Sequence, residues 1–121
     1  MIEVSKAVIQ KNGKFLLLKR ATVSYPNTWD FPGGKHDPAE TPEQSVIRET
    51  KEETSFNIVP GPEVRTIHYQ DEQFDLLFYY FIPKIISGDL KISPDHSEYR
   101  WLTEKEINSL ELHPAVKEYF K

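Results

Sequence analysis

Short runs of hydrophobic residues alternate with polar turn residues along the first twenty positions. Residues 3–10 and 14–19 are two such runs, and their composition favours β-strands. Lys11-Asn12-Gly13 stands between them, and Asn-Gly is a strong hairpin signal because both residues tolerate a positive φ. The chain is therefore predicted to begin with a β-hairpin.

The segment after this hairpin has the composition of a loop. Residues 21–28 include Pro26 and Asn27, and they lead into Trp29-Asp30-Phe31-Pro32-Gly33-Gly34. Because proline and two glycines interrupt this stretch, it is predicted to be a short extended piece.

The clearest helix signal in the chain begins at Thr41. Thr41 suits the N-cap position, Pro42 suits the first helical position, and Gln44 completes a capping-box pattern. The pattern predicts a helix from Thr41 to about Thr54 that stops before Asn57.

The second half of the chain mixes strand and helix signals without a regular β-α-β alternation. Its predicted elements are strands at 64–70, 74–82 and 98–102, a turn at 87–89, a helix from Thr103 to about Leu110 and a last short helix that starts at His113-Pro114. This mixture predicts one α+β domain over residues 1–121, with a sheet sandwiched by helices.

Composition narrows the function classes. A chain of 121 residues with 38% hydrophobic and 28% charged residues fits one globular domain. No apolar run approaches the roughly 18 residues that cross a bilayer, and the first residues lack the layout of a secretory signal. The absence of cysteine excludes disulfides and cysteine-based sites. We expect a cytoplasmic monomer or homodimer without membrane association.

The charge of the chain also bears on its partners. The net charge of −4 argues against stable nucleic-acid binding, which normally needs a basic face. Between Glu40 and Glu53 there are five glutamates against Arg48 and Lys51. If the protein binds a polyphosphate near these glutamates, cations are needed between the carboxylates and the phosphates, because both are negatively charged.

Three of these glutamates share one face of the predicted helix. Glu49, Glu52 and Glu53 are neighbours because positions i, i+3 and i+4 of a helix lie together. Arg48 can relieve part of their repulsion by reaching Glu52 at i+4, and a divalent cation would relieve the rest. The spacing alone leaves two interpretations open, a metal site and a solvated helix face.

The residues around this helix resemble the Nudix box, whose pattern is G-x(5)-E-x(7)-R-E-U-x-E-E-x-G-U, with U a bulky aliphatic residue. Its fixed positions are matched by Gly34, Glu40, Arg48, Glu49, Glu52 and Glu53. The preceding Phe-Pro-Gly-Gly-Lys is also typical of the family.

Two positions depart from the box. Thr50 replaces an aliphatic residue, and we expect it to pack in a half-buried site at a small cost in stability. Ser55 replaces a glycine that caps the helix in a left-handed conformation, which serine adopts with difficulty. We therefore expect Asn57 to supply the cap and to move the end of the helix slightly.

The resemblance implies a Nudix-type α/β/α sandwich with a mixed, largely antiparallel sheet. It also implies Mg²⁺-dependent hydrolysis of a diphosphate linkage in a nucleotide-like substrate, with Mn²⁺ as a possible substitute. The implied metal ligands are the carbonyl of Gly33 and the carboxylates of Glu49, Glu53 and, directly or through water, Glu52. Arg48 would orient a helix glutamate. Glu40 would fix a loop or support the site from outside, unless it is a plain surface residue.

A carboxylate outside the helix often serves as base or extra ligand in this family. Glu98 is the preferred candidate and Asp95 the alternative. The implied catalytic residues are thus Arg48, Glu52 and Glu98.

Residues for the substrate are less strongly indicated. Arg20 and Lys35 are candidates for binding phosphate, although Arg20 could equally be a plain charge at a strand end. His96 could donate to phosphate or lie on the surface. Candidates for stacking on a base, each of which could instead belong to the core, are Trp29, Phe74, Phe78 and Tyr80.

The substrate expected first is a nucleoside triphosphate, hydrolysed to a monophosphate and pyrophosphate as in MutT-type members. A dinucleoside polyphosphate is the alternative, because residues 95–102 resemble a segment of such hydrolases. Members that read oxidised guanine use an asparagine where a rough alignment places Val116, which counts against that specificity. No proline lies between Pro62 and Pro83, which counts against ADP-ribose. A non-catalytic nucleotide-binding protein is a third interpretation, although such proteins usually lose box glutamates.

Overall fold

Ten strands and three helices make up the protein, and the computed structural model describes all of residues 1–121. The strands are β1 (Ile2–Ala7), β2 (Gln10–Lys11), β3 (Lys14–Arg20), β4 (Trp29–Asp30), β5 (Gly33–Lys35), β6 (Asn57–Val59), β7 (Val64–Gln70), β8 (Asp75–Phe81), β9 (Lys84–Ser87) and β10 (His96–Leu102). The helices are α1 (Pro42–Thr54), α2 (Glu104–Ile107) and α3 (Pro114–Tyr119).

The strands form a mixed, largely antiparallel arrangement, as predicted. One sheet has the order β5-β1-β8-β7, and a second has the order β10-β3-β2 with β4 paired to β3. Strands β6 and β9 form a separate pair. Among the strand pairs only β1 and β8 are parallel, which brings the amino terminus beside residues 75–81.

Helices cover two faces of these sheets. Successive residues of a strand point to opposite faces, and in β3 Leu17 joins one hydrophobic cluster whereas Leu16 and Leu18 join the other. The cluster around Leu16 contains Val46 of α1, and the cluster around Leu17 contains Ile107 of α2 together with residues of α3. The predicted α+β sandwich is therefore confirmed.

The hairpin at the start of the chain differs from its prediction in one respect. Asn12 and Gly13 adopt positive φ values of 53° and 76°, as an Asn-Gly turn requires. The single predicted strand over residues 3–10 is instead two strands, because the chain changes sheet between them. β1 pairs with β8 and β5, whereas β2 pairs with β3.

Helix α1 begins and ends close to its predicted bounds. Thr41 and Gln44 form the complete capping box, with Pro42 in the first turn. The expected cap at Asn57 is wrong, because Ser55 itself adopts the left-handed conformation with φ 70° and ψ 4°, and Asn57 starts β6. The Ser55 hydroxyl donates to the Lys91 carbonyl at 3.3 Å, which helps to hold serine in this conformation.

Other elements were predicted incompletely. The β6–β9 pair was not predicted, and α2 has only four residues where a helix to about Leu110 was expected. The strand at 98–102 begins two residues earlier, at His96. The longest helix has 13 residues, and none combines the length and apolarity needed to cross a bilayer.

Thr50 lies deeper than expected, and its position gives a stability prediction. The residue is fully buried rather than half-buried, and its hydroxyl has no hydrogen-bond partner. A buried polar group without a partner costs about 1–3 kcal/mol, so Thr50→Val should raise the free energy of unfolding by about 1 kcal/mol in urea denaturation.

Thr54 provides the matched control for this substitution. Its buried hydroxyl donates to the Thr50 carbonyl at 2.7 Å and accepts from the Phe56 amide at 3.1 Å. Thr54→Val should therefore lower stability. A loss of stability in Thr50→Val would show that its hydroxyl has a partner in solution.

Candidate active site

A cavity of about 440 Å³ brings together residues of β1, β3, β5, β8, β10 and α1 with residues of the adjoining loops. The residues that we call its acidic end are Gly33, Gly34, Lys35, Glu49 and Glu53. The residues that we call its aromatic end are Tyr25, Phe74, Leu76, Phe78 and His113. The cavity thus joins a charged, glycine-lined region to an apolar one.

The two glycines hold the acidic end close to helix α1. The Gly33 amide donates to Glu53 Oε1 at 3.0 Å. A Cβ atom on Gly34 would lie 2.6 Å from the Glu49 carboxyl carbon, so only glycine leaves room for this carboxylate. Both glutamates therefore lie against the backbone of β5.

Glu53 is half-buried, as is Glu49. Partial burial raises the pKa of Glu53 well above its usual value, whereas the charge of Lys6 and the Gly33 amide act in the opposite direction. A half-buried carboxylate of this kind is stabilised when a cation or a hydrogen-bond donor faces it.

Arg48 connects the other glutamates of the box. Its guanidinium donates to Glu49 at 2.8 Å and to both oxygens of Glu40 at 2.8 and 3.0 Å. It also donates to the Lys35 carbonyl at 3.2 Å, and Glu40 accepts from the Asp37 amide at 2.8 Å. These hydrogen bonds lower the pKa of Glu40 to about 2. Glu40 thus fixes the loop that joins β5 to α1.

Glu52 lies outside the cavity. Its side chain is 58% exposed and its oxygens lie 3.3 and 3.4 Å from Arg48 Nη1. Acidic or histidine side chains do not form a ready cluster of three or more that could hold a metal ion. Instead Arg48 engages Glu49 and Glu52, and Gly33 engages Glu53. The atoms of Gly33, Glu49 and Glu53 that could coordinate a cation are all oxygen atoms, which suits a hard divalent cation.

A buried carboxylate, Asp30, is paired with two residues of the cavity wall, Lys6 and Arg20. Lys6 and Asp30 are 2% and 1% exposed, and the Lys6 ammonium donates to Asp30 Oδ2 at 2.8 Å. Arg20 donates to the same oxygen at 2.9 Å. Burial would raise the pKa of Asp30, but the positive charges around it outweigh burial and hold that pKa well below its usual value.

Arg20 also organises the loop over residues 21–28. Its guanidinium donates to the Ser24 carbonyl at 3.1 Å and to the Ser24 hydroxyl at 2.9 Å. With the bond to Asp30, three of the five N–H groups of the guanidinium are engaged. Arg20 and Lys35 both line the cavity.

Tyr25 and His113 form part of the aromatic end, and sequence reasoning assigned neither of them to the site. Their rings lie 4.7 Å apart, and the Tyr25 ring lies 5.6 Å from that of Phe74. The Tyr25 hydroxyl donates to Asp71 at 2.6 Å, which ties the loop to the β7–β8 turn. Of the proposed stacking residues, Phe74 and Phe78 line the cavity, although Phe78 is fully buried and belongs to the same core cluster as Trp29 and Tyr80.

The two candidate carboxylates outside the helix are placed differently. Asp95 and His96 line the cavity, but Glu98 does not. The register of β10 shifts between His96 and Glu98, so the expected alternation of side chains is broken there. Glu98, whose side chain is 42% exposed, pairs with Arg100 at 2.9 Å, and Asp95 is exposed as well. Of the two candidates for the base, Asp95 thus lies at the cavity and Glu98 lies outside it.

His96 and His113 are both neutral at pH 7. Burial lowers the pKa of His96 to about 4 and that of His113 to about 3. His113 Nδ1 accepts from the Ala115 amide at 3.0 Å, so its proton resides on Nε2. His113 Nδ1 lies 3.5 Å from Asp30, but a neutral imidazole forms no ion pair there.

The His113 environment gives a pH prediction. A histidine whose folded pKa is lowered binds its proton more readily in the unfolded chain, so stability is lost as the pH falls below about 6.5. At pH 5 the loss from His113 should be about 2 kcal/mol relative to pH 7. His113→Asn keeps an N-cap acceptor and should reduce this pH dependence. Urea denaturation at pH 7 and pH 5 measures this pH dependence of stability. If His113→Asn leaves it unchanged, the lowered pKa of His113 is not its cause.

Comparisons with known proteins identify the family of this chain. The sequence matches the family described as NUDIX domain over residues 2–121. CTP pyrophosphohydrolase from Escherichia coli (strain K12) is 31% identical over 118 residues, which cover 95% of this chain and 85% of that protein. Nucleoside triphosphatase NudI from Enterobacter sp. (strain 638) is 27% identical over 123 residues, with coverages of 91% and 87%.

The fold agrees with the sequence comparison. The crystal structure of a MutT protein from Methanosarcina mazei Go1 superposes with a TM-score of 0.86 at 30% identity, and the match covers 98% of this chain and 89% of that chain. The family match extends over nearly the whole chain, and the box residues Glu49 and Glu53 lie together at one cavity. The chain therefore belongs to the Nudix hydrolase family.

Proposed function

We propose that this chain hydrolyses a nucleoside triphosphate in the presence of Mg²⁺ and releases a nucleoside monophosphate and pyrophosphate. Membership of the Nudix family makes it a pyrophosphohydrolase of nucleotides. The observation that carries the narrower proposal is the single cavity that joins the acidic end to the aromatic end. Two relatives are named as enzymes of CTP and of nucleoside triphosphates, which supports the same substrate class.

The cation would be held at the acidic end. Glu49, Glu53 and the carbonyl of Gly33 are the proposed ligands, and Glu52 would contribute through a water molecule because it lies outside the cavity. A divalent cation held there, Mg²⁺ or Mn²⁺, would supply neutralisation of the diphosphate charge and activation of water. Arg48 positions Glu49 by their 2.8 Å contact. Lys35 and Arg20 offer donors to the phosphates.

We assign the base to Asp95, which lines the cavity without a side-chain partner of its own. It would accept the proton of the attacking water as the water oxygen bonds to phosphorus and the oxygen of the departing group leaves. General-base catalysis contributes roughly 10²–10⁴-fold. Asp95→Asn should therefore lower kcat by about 10²-fold or more.

Glu98→Gln is the matched control for Asp95→Asn. Because Glu98 pairs with Arg100 outside the cavity, its replacement should change kcat by less than about threefold. Steady-state rates of the two variants compare the positions directly. A larger loss in Glu98→Gln than in Asp95→Asn would return the role to Glu98.

The size of the cavity favours a single nucleotide over a dinucleoside polyphosphate. A volume of about 440 Å³ lies within the range of pockets that enclose one small ligand. The second nucleoside of a dinucleoside polyphosphate would have to lie outside it. The box glutamates Glu49 and Glu53 are both present and line the cavity, which disfavours a binding protein without activity.

The decisive experiment is a screen of nucleotides with Mg²⁺ and with Mn²⁺ in ¹⁸O-labelled water. The panel contains the ribo- and deoxyribonucleoside triphosphates, dinucleoside polyphosphates and ADP-ribose, and mass spectrometry identifies the products. We expect a triphosphate to give a monophosphate and pyrophosphate, with one ¹⁸O atom incorporated. Faster turnover of a dinucleoside polyphosphate would favour the alternative substrate. Absence of turnover across the panel would favour a non-catalytic protein.

A further inference from the structure

We propose that Lys6 is a substrate-binding residue that holds the α-phosphate of the nucleotide, and that it does so without a metal ion. This inference rests on the proposed function and adds to it a residue that the Nudix box does not contain. Lysine is seldom fully buried in proteins unless it is paired, and Lys6, which is 2% exposed, is paired with Asp30. Lys6 also lines the cavity, so its ammonium is held in place beside the space that a substrate would fill.

Two cationic side chains share one carboxylate at the cavity wall. Lys6 Nζ and Arg20 Nη1 approach the same oxygen, Asp30 Oδ2, at 2.8 and 2.9 Å. Glu53 is a second carboxylate whose charge acts on Lys6. Because Lys6 and Arg20 both line the cavity, their remaining N–H groups are suited to receive an anion from it.

The Lys6 ammonium also has donor capacity to spare. It has three N–H groups, and its contact with Asp30 is the one short hydrogen bond among them. Its other contacts, with the carbonyls of Phe31 and Gly33, are both 3.5 Å long and therefore weak. A phosphate oxygen in the cavity would be a stronger acceptor than either carbonyl.

Lys6 lies between the two ends of the cavity. Through the Gly33 carbonyl it contacts the acidic end, and through Asp30, whose Oδ1 lies 3.5 Å from His113 Nδ1, it is connected to the aromatic end. A nucleoside at the aromatic end and a diphosphate at the acidic end would place the α-phosphate beside Lys6. His113 is neutral at pH 7, so it does not supply this charge.

Binding of nucleoside monophosphates in EDTA tests the proposal. Calorimetric titrations with CMP, GMP, AMP and UMP are compared with titrations of the matching nucleosides, which lack the phosphate. At least one monophosphate should bind the unmodified chain at least tenfold more tightly than its nucleoside. Lys6→Met should abolish this difference and leave nucleoside affinity unchanged. If the difference persists in Lys6→Met, or is absent from the unmodified chain, the proposal is wrong.

Two further variants keep the test decisive. Lys84→Met removes an exposed lysine of β9 that does not line the cavity and should preserve the difference. Should Lys6→Met fail to fold, the double variant Lys6→Met, Asp30→Asn removes both charges of the Lys6–Asp30 pair, which proteins tolerate better than loss of one. Arg20 keeps its two contacts with Ser24 in that variant. That variant should also lose the preference for monophosphate, and its retention would overturn the proposal.

The metal-free assay separates this inference from the proposed function. If the chain hydrolyses a nucleotide with Mg²⁺ but Lys6→Met leaves monophosphate affinity unchanged, the proposed function stands and the role of Lys6 is rejected. Lys6-dependent monophosphate binding without hydrolysis of any nucleotide would do the reverse.

Discussion

Glu53→Gln is expected to lower kcat by about 10³-fold or more while the protein remains folded. Its Oε1 accepts from the Gly33 amide at 3.0 Å, and the amide oxygen of glutamine can replace that acceptor in a side chain of the same shape. The substitution removes the negative charge that we assign to cation binding. A loss of about 4 kcal/mol of transition-state stabilisation corresponds to this change in rate.

Glu43→Gln is the matched control, because Glu43 is an exposed glutamate in the first turn of the same helix. It should keep kcat within about twofold. Circular dichroism and thermal melting of both variants establish that they fold, and Mn²⁺ titration followed by electron paramagnetic resonance measures cation binding. Near-normal turnover of Glu53→Gln would refute the proposed metal site.

Gly33→Ala is expected to cost about 4 kcal/mol or more of stability and to abolish activity. Gly33 has a φ of 138°, a conformation that alanine rarely adopts. An added Cβ would lie 2.0 Å from the Ser5 carbonyl oxygen and 2.8 Å from the Lys6 Cα. Both atoms belong to the backbone of a central strand and cannot move aside cheaply.

Gly34→Ala separates this effect from damage to the site. Its Cβ would meet only the end of the Glu49 side chain, at 2.6 Å, which can rotate away. We expect a small change in stability and a loss of about 10²-fold in kcat, because displacing a reacting group by about 1 Å has that effect. Urea denaturation and steady-state kinetics of both variants test the contrast. Equal stability of the two variants would contradict the packing of Gly33.

Local sequence signals were sufficient for the parts of the fold that local chemistry decides. The capping box at Thr41, the Asn-Gly turn and the aromatic strand β8 all formed where they were predicted. The Nudix box correctly indicated the family. Glu49, Glu53 and Gly33 also meet at one cavity, although their role as ligands stays a prediction.

The remaining features depend on contacts between distant parts of the chain. The register shift in β10 that turns Glu98 away is set by pairing with β3, which a single strand does not reveal. Tyr25 and His113 are far apart in sequence and become neighbours only through the fold. Lys6 did leave a signal, because it falls on the same face of β1 as the buried Val4.

The parallel pairing of β1 with β8 has a consequence for the growing polypeptide. The strand that carries Lys6, and against which Gly33 packs, completes its pairing only with residues 75–81. A nascent chain of about 60 residues already contains the entire box but lacks this partner strand. During translation the site can therefore assemble only after β8 has left the ribosome, and the box alone is not an autonomous unit.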